Sequence, residues 1–199
     1  MKRRNWIPIA AGIVALGLLG WGVTVLLERL TEPVAPAAVA PAPAPAAETP
    51  HIAATLFYAS IEGDALIPIQ RDVPLADDIE AQGRAILVSQ LAPPPEPYVS
   101  AIPAGTTLRA FYVTERGDAF VDLSREVTTA HPGGSLTELL TVQSLVNAVT
   151  ANLPAVQRVQ IMVDGKEVDT IAGHVDVRRP LVRDNSLVRE PGAEGEAAQ

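Results

Sequence analysis

The 199-residue sequence contains no cysteine, only three histidines, and aromatic residues at 4% of the chain. Without cysteine, the protein has no disulfide, no thiolate metal site and no thiol nucleophile, so a folded domain must be held by its apolar core alone. Basic residues are also scarce, since 15 Lys and Arg stand against 23 Asp and Glu, and the formal net charge is −8. Nucleic-acid binding depends on clustered basic side chains that neutralise phosphates, so this composition argues against nucleic acid as a partner.

One long apolar run is present, at residues 6–27, and it contains no charged side chain. Its length meets the roughly 20 residues that a transmembrane helix needs to cross a bilayer core. A basic cluster at residues 2–4 precedes it, so the positive-inside rule places residues 1–5 in the cytoplasm. A cleaved signal peptide is the alternative, but its apolar segment is normally only about 7–15 residues long. We therefore expect a single-pass protein of the inner (cytoplasmic) membrane whose C-terminal domain is extracytoplasmic, on the periplasmic or cell-wall side.

Two other segments have compositions that are typical of chain without a core. Residues 28–50 are rich in alanine and proline, which favours a semi-rigid polyproline II spacer of about 3.1 Å per residue. Residues 184–199 are acidic, contain Gly and Pro and offer little apolar surface, so we predict a disordered tail. These boundaries leave residues 51–183 as one folded extracytoplasmic domain.

Hydrophobic periodicity and turn residues predict the order β-β-α-β-β-α-β-β within this domain. The predicted strands are residues 55–59, 66–71, 107–114, 119–123, 159–163 and 166–171. The first helix begins after Asp77 or Asp78, which can cap it, and ends at Leu91. The fold class we predict is therefore α+β, a small mixed β-sheet with two helices packed on one face, preceded by the transmembrane helix.

The second helix has the clearest start signal. Ser135 and Glu138 have the spacing of a capping box, in which each side chain accepts a hydrogen bond from a free amide at the helix start. A single apolar stripe follows, formed by Leu139, Val142, Val146, Val149 and Leu153. Further along, Asp164 and Gly165 predict a two-residue turn between the last two strands.

Several segments of the domain resemble the GerMN domain, a family named after the N-terminal domain of the spore-germination protein GerM. They are residues 102–106 (IPAGT), 120–124 (FVDLS), 133–135 (GGS) with the helix at 138–147, 159–165 (VQIMVDG) and 170–176 (TIAGHVD). The resemblance covers most of residues 55–183. It implies structural roles for the residues of its motifs that we single out here: Ser135, Glu138, Asp164, Gly165, Gly173, His174 and Asp176.

The resemblance also implies an extracytoplasmic, non-catalytic module of cell-envelope proteins. In spore formers the family is similar to the ring-building motifs that assemble channels between two membranes. This sequence shows one copy and no tandem repeat, and nothing in it points to sporulation itself.

No constellation of catalytic, cofactor-binding or metal-binding residues is recognisable. His51, His131 and His174 lie far apart in the sequence and share no metal-ligand spacing. A solvent-exposed position is favoured for His51, a turn for His131, and a structural hydrogen bond for His174. We therefore predict that the protein is not an enzyme and needs no cofactor or metal.

The predicted function is a membrane-tethered interaction or scaffolding module of the bacterial cell envelope. We expect it to bind envelope proteins, or to self-associate, through sheet edges and an exposed helix face. Recognition of peptidoglycan or another glycan is the alternative. That activity requires exposed aromatic rings, and the domain offers six candidates: Phe57, Tyr58, Tyr98, Phe111, Tyr112 and Phe120.

Overall fold

The strands of the domain lie in two sheets. The computed structural model describes residues 50–191. The first sheet is an antiparallel hairpin of two strands, β1 (His51–Ala59) and β2 (Leu66–Pro74). The second sheet has the order β3-β4-β5-β6, with strands β3 (Leu108–Val113), β4 (Asp118–Leu123), β5 (Arg158–Val163) and β6 (Lys166–Glu167). Its central strands β4 and β5 are parallel, and the outer pairs are antiparallel. The predicted α+β class is confirmed, but the prediction of one mixed sheet is wrong.

Three helices connect and cover these strands: α1 (Ile79–Leu91), α2 (Glu126–Thr129) and α3 (Ser135–Asn152). The Asp78 side chain caps α1 by accepting a hydrogen bond from the Ala81 amide at 2.7 Å, as one of the two predicted caps. The single-turn helix α2 was not predicted, because one helical turn has no apolar periodicity to reveal it.

Helix α3 is buried on nearly all sides and not only along the predicted stripe. It contacts β1 of the first sheet, β5 of the second sheet and helix α1. Residues 140–149 are therefore almost entirely enclosed, including the polar side chains of Thr141, Ser144 and Asn147. The prediction that both helices pack on one face of one sheet is wrong, because α3 contacts strands of both sheets.

The outer edge of β1 is closed by side-chain amides that imitate a neighbouring strand. The Asn152 carboxamide both accepts from the Thr55 amide and donates to the Thr55 carbonyl, each at 2.8 Å. The Gln90 carboxamide does the same at Phe57, at 2.9 and 2.7 Å. Further along, Ala59 exchanges two main-chain hydrogen bonds with the loop after α1. This edge therefore cannot accept a strand of the second sheet, which explains why the two sheets stay separate.

The outer edge of β2 is protected in another way. Leu66 pairs with the C-terminal segment, donating to the Leu187 carbonyl at 2.8 Å and accepting from the Arg189 amide at 2.9 Å. Since alternate residues face the same side of a strand, Pro68 and Pro74 also face outward on this edge, and proline has no N–H to offer a pairing strand. Proline at such positions is a common protection against edge-to-edge association.

The C-terminal segment packs on the domain beyond residue 183. The Asn147 side chain donates to the Asp184 carbonyl at 2.8 Å, and Arg189 forms a two-point ion pair with Asp64 at 2.9 and 3.0 Å. Leu187 and Val188 pack against the core. The composition of residues 184–199 averages these apolar positions with the acidic residues after them, so it does not reveal that residues 184–189 pack on the domain.

Several predictions concern residues outside the described range. These are the cytoplasmic segment 1–5, the transmembrane helix 6–27, most of the 28–50 spacer and the last residues of the tail, 192–199. Within residues 50–191, none of the helices combines the length and the apolar composition that a bilayer crossing requires.

Helix α1 approaches β3 so closely that only glycine fits at its middle. A Cβ atom built on Gly83 would lie 2.1 Å from Cε1 of Phe111, whose side chain is fully buried. Gly83 is therefore needed for close packing and not for an unusual backbone conformation.

We expect Gly83→Ala to destabilise the domain, although alanine normally stabilises a helix interior by about 1 kcal/mol relative to glycine. Overpacking of a filled core typically costs about 1–3 kcal/mol, and an overlap as close as 2.1 Å belongs in the upper half of that range, so a net loss of about 1–2 kcal/mol should remain. Urea unfolding of the purified protein measures it. The matched control is Val88→Ala on the same helix, whose side chain is 56% exposed and should change stability by less than about 0.5 kcal/mol. A Gly83→Ala variant as stable as the wild type would contradict this packing argument.

Candidate functional site

A buried carboxylate, Glu138, organises the C-terminal part of the domain. Its side chain is inaccessible to solvent. Three main-chain amides donate to it: Ile171 and Ala172 to Oε1 at 2.8 and 2.7 Å, and His174 to Oε2 at 2.7 Å. The loop at residues 171–174 therefore wraps around one carboxylate of helix α3.

These amides decide the charge of Glu138. Burial by itself would raise the pKa of this carboxyl, but the three donating amides, together with the nearby N–H of Val175, outweigh burial and hold the pKa below its usual value of 4.5. Glu138 is therefore ionised at neutral pH. Since its oxygens are occupied by the protein's own amides, its chemistry is structural.

The predicted capping box is wrong. Gly134 occupies the N-cap position of α3, and no side chain caps the helix there. Ser135 is exposed, and Glu138 points away from the helix start toward the 171–174 loop. Three main-chain amides that lie more than thirty residues later in the sequence stabilise the carboxylate more than one local amide could.

Three of the residues named by the GerMN resemblance meet at this loop: Glu138, Gly173 and His174. Gly173 has a φ of 95°, a left-handed conformation that favours glycine in the turn. The His174 ring places Nδ1 3.2 Å from Glu138 Oε2, while 46% of its side chain remains exposed. The main-chain amide of His174 makes the shorter bond, so much of its structural role does not depend on the ring. Asp176 instead faces solvent, where the Arg178 guanidinium at 2.6 Å lowers the pKa of its carboxyl.

The other two named residues, Asp164 and Gly165, lie at a different end of the domain. They form the predicted turn between β5 and β6, with φ values of 49° and 75°. The Gly165 amide donates to Asp122 Oδ1 at 2.8 Å, and Arg109 lies 3.2 Å from both Asp122 and Asp164. Sequence analysis missed Arg109 and Asp122 as members of this network, because they come from strands far from the turn in sequence.

An exposed aromatic pair lies on the outer face of the second sheet. Tyr112 on β3 and Phe120 on β4 are direct partners in the strand register, so their side chains share a face. Tyr112 is 56% exposed and Phe120 is partly exposed, whereas Phe111 and Val121 on the opposite face are fully buried. Of the other candidate aromatics, Phe57 and Tyr58 are also buried, and Tyr98 is partly buried and packs against the core. The structure therefore selects Tyr112 and Phe120 as the exposed pair.

An ion pair lies at each end of the aromatic pair formed by Tyr112 and Phe120. Asp118, Phe120 and Asp122 alternate along β4 and therefore share the outer face. Arg158 donates to Asp118 at 2.7 Å at one end, and Arg109 pairs with Asp122 at the other. We call this surface the aromatic face, and it consists of Tyr112, Phe120, Arg109, Asp118, Asp122 and Arg158. It has an apolar centre and charged ends.

An open groove of about 600 Å³ lies on another side of the domain. The 102–106 segment of the GerMN resemblance forms one of its walls, and the end of α1 and the loop before α3 form the others. No charged side chain lines it. The groove is therefore a neutral surface with apolar and hydroxyl groups.

Nothing in residues 50–191 resembles a metal centre, since no three or more His, Asp or Glu side chains come together there. His131, predicted to be a turn residue, accepts a hydrogen bond from the Gly133 amide at Nδ1 and stabilises the turn before α3. It also reaches Thr141 on α3, a contact with no local sequence signal.

Solved structures that are similar to this chain include the following three. The tandem GerMN domains of the sporulation protein GerM from Bacillus subtilis align with a TM-score of 0.50 and 18% identity, over 68% of this chain and 46% of that one. The first GerMN domain of the same protein gives 0.48 and 18%, over 66% and 98%. A protein from Clostridium perfringens gives 0.49 and 20%, over 68% and 89%. At these identities the alignment with the tandem domains shows a shared fold alone.

No curated protein sequence matches the chain significantly. The Germane family model, described as sporulation and spore germination, matches residues 55–169. This range includes most of the segments that resemble GerMN, so the resemblance is confirmed. Because it is also more than half of the 199 residues, the chain belongs to the Germane family.

Proposed function

We propose that this chain is a non-catalytic, membrane-tethered module of the bacterial cell envelope that binds another envelope protein through its aromatic face. The observation that carries the proposal is the exposed Tyr112 ring beside Phe120, with an ion pair at each end. Protein interfaces have this composition, with tyrosine, phenylalanine and arginine enriched at the centre and polar groups at the rim.

Both edges of the first sheet are protected, which favours the aromatic face as the binding surface. We expected association through sheet edges from the sequence, but β1 is closed by Asn152 and Gln90, and β2 carries Pro68 and Pro74. Strand addition needs a row of free amides and carbonyls, which these edges do not offer. Strand addition is therefore disfavoured at the first sheet, and we take the aromatic face of the second sheet as the contact surface.

Two further observations support the tether and the absence of catalysis. The uncharged run at residues 6–27 behind the basic residues 2–4 supports an inner-membrane anchor with the domain outside. The most enclosed ionised group, Glu138, is saturated by main-chain amides and has no free oxygen for acid–base chemistry.

Glycan recognition is the second candidate, and the exposure of Tyr112 is the observation that favours it. An exposed aromatic ring can stack on the apolar face of a sugar, as in many carbohydrate sites. The aromatic face has one strongly exposed ring, whereas a sugar chain would need several rings or hydrogen-bonding groups in a row. We therefore place peptidoglycan second.

Photocrosslinking in whole cells tests the two candidates. A photoreactive phenylalanine analogue at position 112 should give one discrete crosslinked protein product, because this position is the centre of the proposed interface. The same analogue at Glu62, an exposed turn residue on the first sheet, is the matched control and should give none.

Tyr112→Ser should abolish capture of that product by the tagged chain while changing stability by less than about 0.5 kcal/mol, since the side chain is exposed. Binding of the purified chain to isolated sacculi tests the second candidate, glycan recognition. Tyr112-dependent binding to sacculi without any protein crosslink would establish glycan recognition and refute the protein partner.

A further inference from the structure

Three hydrogen bonds in series connect the loop before α3 with the wall of the groove. The Gly133 amide donates to His131 Nδ1 at 3.0 Å, so the neutral ring carries its proton on Nε2. Nε2 then donates to Thr141 Oγ1 at 3.1 Å, and the Thr141 hydroxyl donates to the Ala101 carbonyl at 2.5 Å. The Thr137 carbonyl, 3.0 Å from the same hydroxyl, is a more distant acceptor for its single proton.

This series ties the groove wall to helix α3. Ala101 begins the segment 101–106, which lines the groove, and Thr141 is fully buried beneath it. The other side-chain hydrogen bonds of the segment are local, such as those between Ser100 and Ile102. The contact from Thr141 is thus the hydrogen bond that fixes Ala101 to α3.

Only the neutral form of His131 fits this arrangement. A protonated imidazole carries an N–H on both nitrogens, so Nδ1 would point a proton at the Gly133 amide proton. The Gly133 bond would be lost and the ring displaced from Thr141. The geometry therefore couples the charge of one side chain to the attachment of the groove wall.

The charged groups around His131 come from the elements that pack near it. Helix α3 contributes the Glu138 carboxylate and the C-terminal loop contributes His174, while the 101–106 segment has no charged residue. On α2 and its cap, Arg125 and Glu126 pair with each other at 3.7 Å. Burial lowers the pKa of His131. The negative charge of Glu138 raises this pKa and the nearby His174 lowers it further, so the pKa lies below the usual 6.5.

We propose that His131 is a pH-dependent latch whose protonation in mildly acidic medium releases segment 101–106 from helix α3 and reshapes the groove. A histidine with a lowered folded-state pKa contributes stability that is fully present above its unfolded value of 6.5. That contribution is lost as the pH falls from 6.5 through the lower folded value. The latch is closed at neutral pH and opens on acidification.

Hydrogen exchange of the purified full chain, read by mass spectrometry, tests the latch. Protection of 101–106 should fall relative to unstructured peptide when the pH drops from about 7.5 to about 5, because protonation of His131 removes the Gly133 hydrogen bond that positions the ring. Protection of residues 119–123 in β4 should stay constant. Glu138 remains ionised over this interval, because its pKa lies below 4.5.

Matched histidine variants identify the responsible ring. His131→Asn, which keeps an acceptor for the Gly133 amide but does not titrate, should remove the pH dependence. His174→Asn should retain it. Wild-type protection that does not change with pH, a response that survives in His131→Asn, or a response that is lost in His174→Asn would each overturn the proposal.

A second variant covers the case in which His131→Asn disturbs the fold. Thr141→Val removes the hydroxyl and leaves both histidines, so 101–106 should be weakly protected at both pH values while β4 stays protected. If segment 101–106 of Thr141→Val still responds to pH as the wild type does, the three hydrogen bonds in series do not hold this segment on α3.

Discussion

Glu138→Ala is expected to remove most of the stability of the domain. The substitution leaves the amides of Ile171, Ala172 and His174 without their acceptor in the part of the fold that encloses it. Hydrogen bonds to a charged group contribute about 1.5–3 kcal/mol each, which gives about 4.5–9 kcal/mol for three. Ala172 and His174 lie partly at the surface, where water can replace the lost acceptor, so we expect a total loss of about 3–6 kcal/mol. A domain typically has about 5–15 kcal/mol to lose.

Thermal unfolding followed by circular dichroism measures this effect. The melting temperature should fall by about 10–20 °C, given the usual conversion for a domain of this size. Glu138→Gln keeps the shape and one acceptor oxygen and should fall between the wild type and the alanine variant. Glu62→Ala, at an exposed turn, is the control and should melt with the wild type. Equal melting of Glu138→Ala and Glu62→Ala would show that the carboxylate does not hold the loop.

The pH dependence of stability gives a second measure of the same group. Because its folded-state pKa is lowered, Glu138 contributes stability that is present above its usual value of 4.5 and lost as the pH falls through the lower folded value. The wild type should therefore lose stability in this acidic range, and Glu138→Gln should lose less.

Gln90→Leu is expected to have the next largest effect. The Gln90 side chain is 1% exposed and satisfies both the N–H and the C=O of Phe57. Leucine has a similar size but leaves both groups unpaired, which costs about 1–3 kcal/mol for each buried group. A loss of about 2–6 kcal/mol in urea unfolding should follow.

The matched control for Gln90→Leu is Gln70→Leu on β2. Its side chain is exposed and bonds only the Thr55 hydroxyl, so the same substitution should cost less than about 1 kcal/mol. If both variants unfold at the same urea concentration, the carboxamide at position 90 does not act as a substitute strand.

Local signals were sufficient to predict most of the strands and turns. Asp164 and Gly165 form the predicted turn because few other residue pairs adopt positive φ at both positions. Asp78 caps α1 because its short side chain reaches the Ala81 amide. Such features depend on neighbours within four residues, and the sequence shows those neighbours directly.

Long-range partners could not be predicted in the same way. The spacing of Ser135 and Glu138 predicts a capping box, yet the amides that donate to Glu138 lie 33 to 36 residues later. The separation of the sheets depends on Gln90 and Asn152, whose carboxamides resemble ordinary polar residues near helix ends. For the candidate site, the aromatic residues were identified from the sequence, but the exposure of Tyr112 follows from the register of β3 and β4.

The return of the C-terminal segment to the first hairpin has a consequence for biosynthesis. Arg189 pairs with Asp64, 125 positions earlier, and the same segment completes the edge of β2 at Leu66. A ribosome delivers the hairpin long before it delivers this last strand-like segment. Until that segment is synthesised, the N–H and C=O of Leu66 on the outer edge of β2 lack the partners that they have in the folded domain, so the hairpin can be completed only after residue 189 has been added.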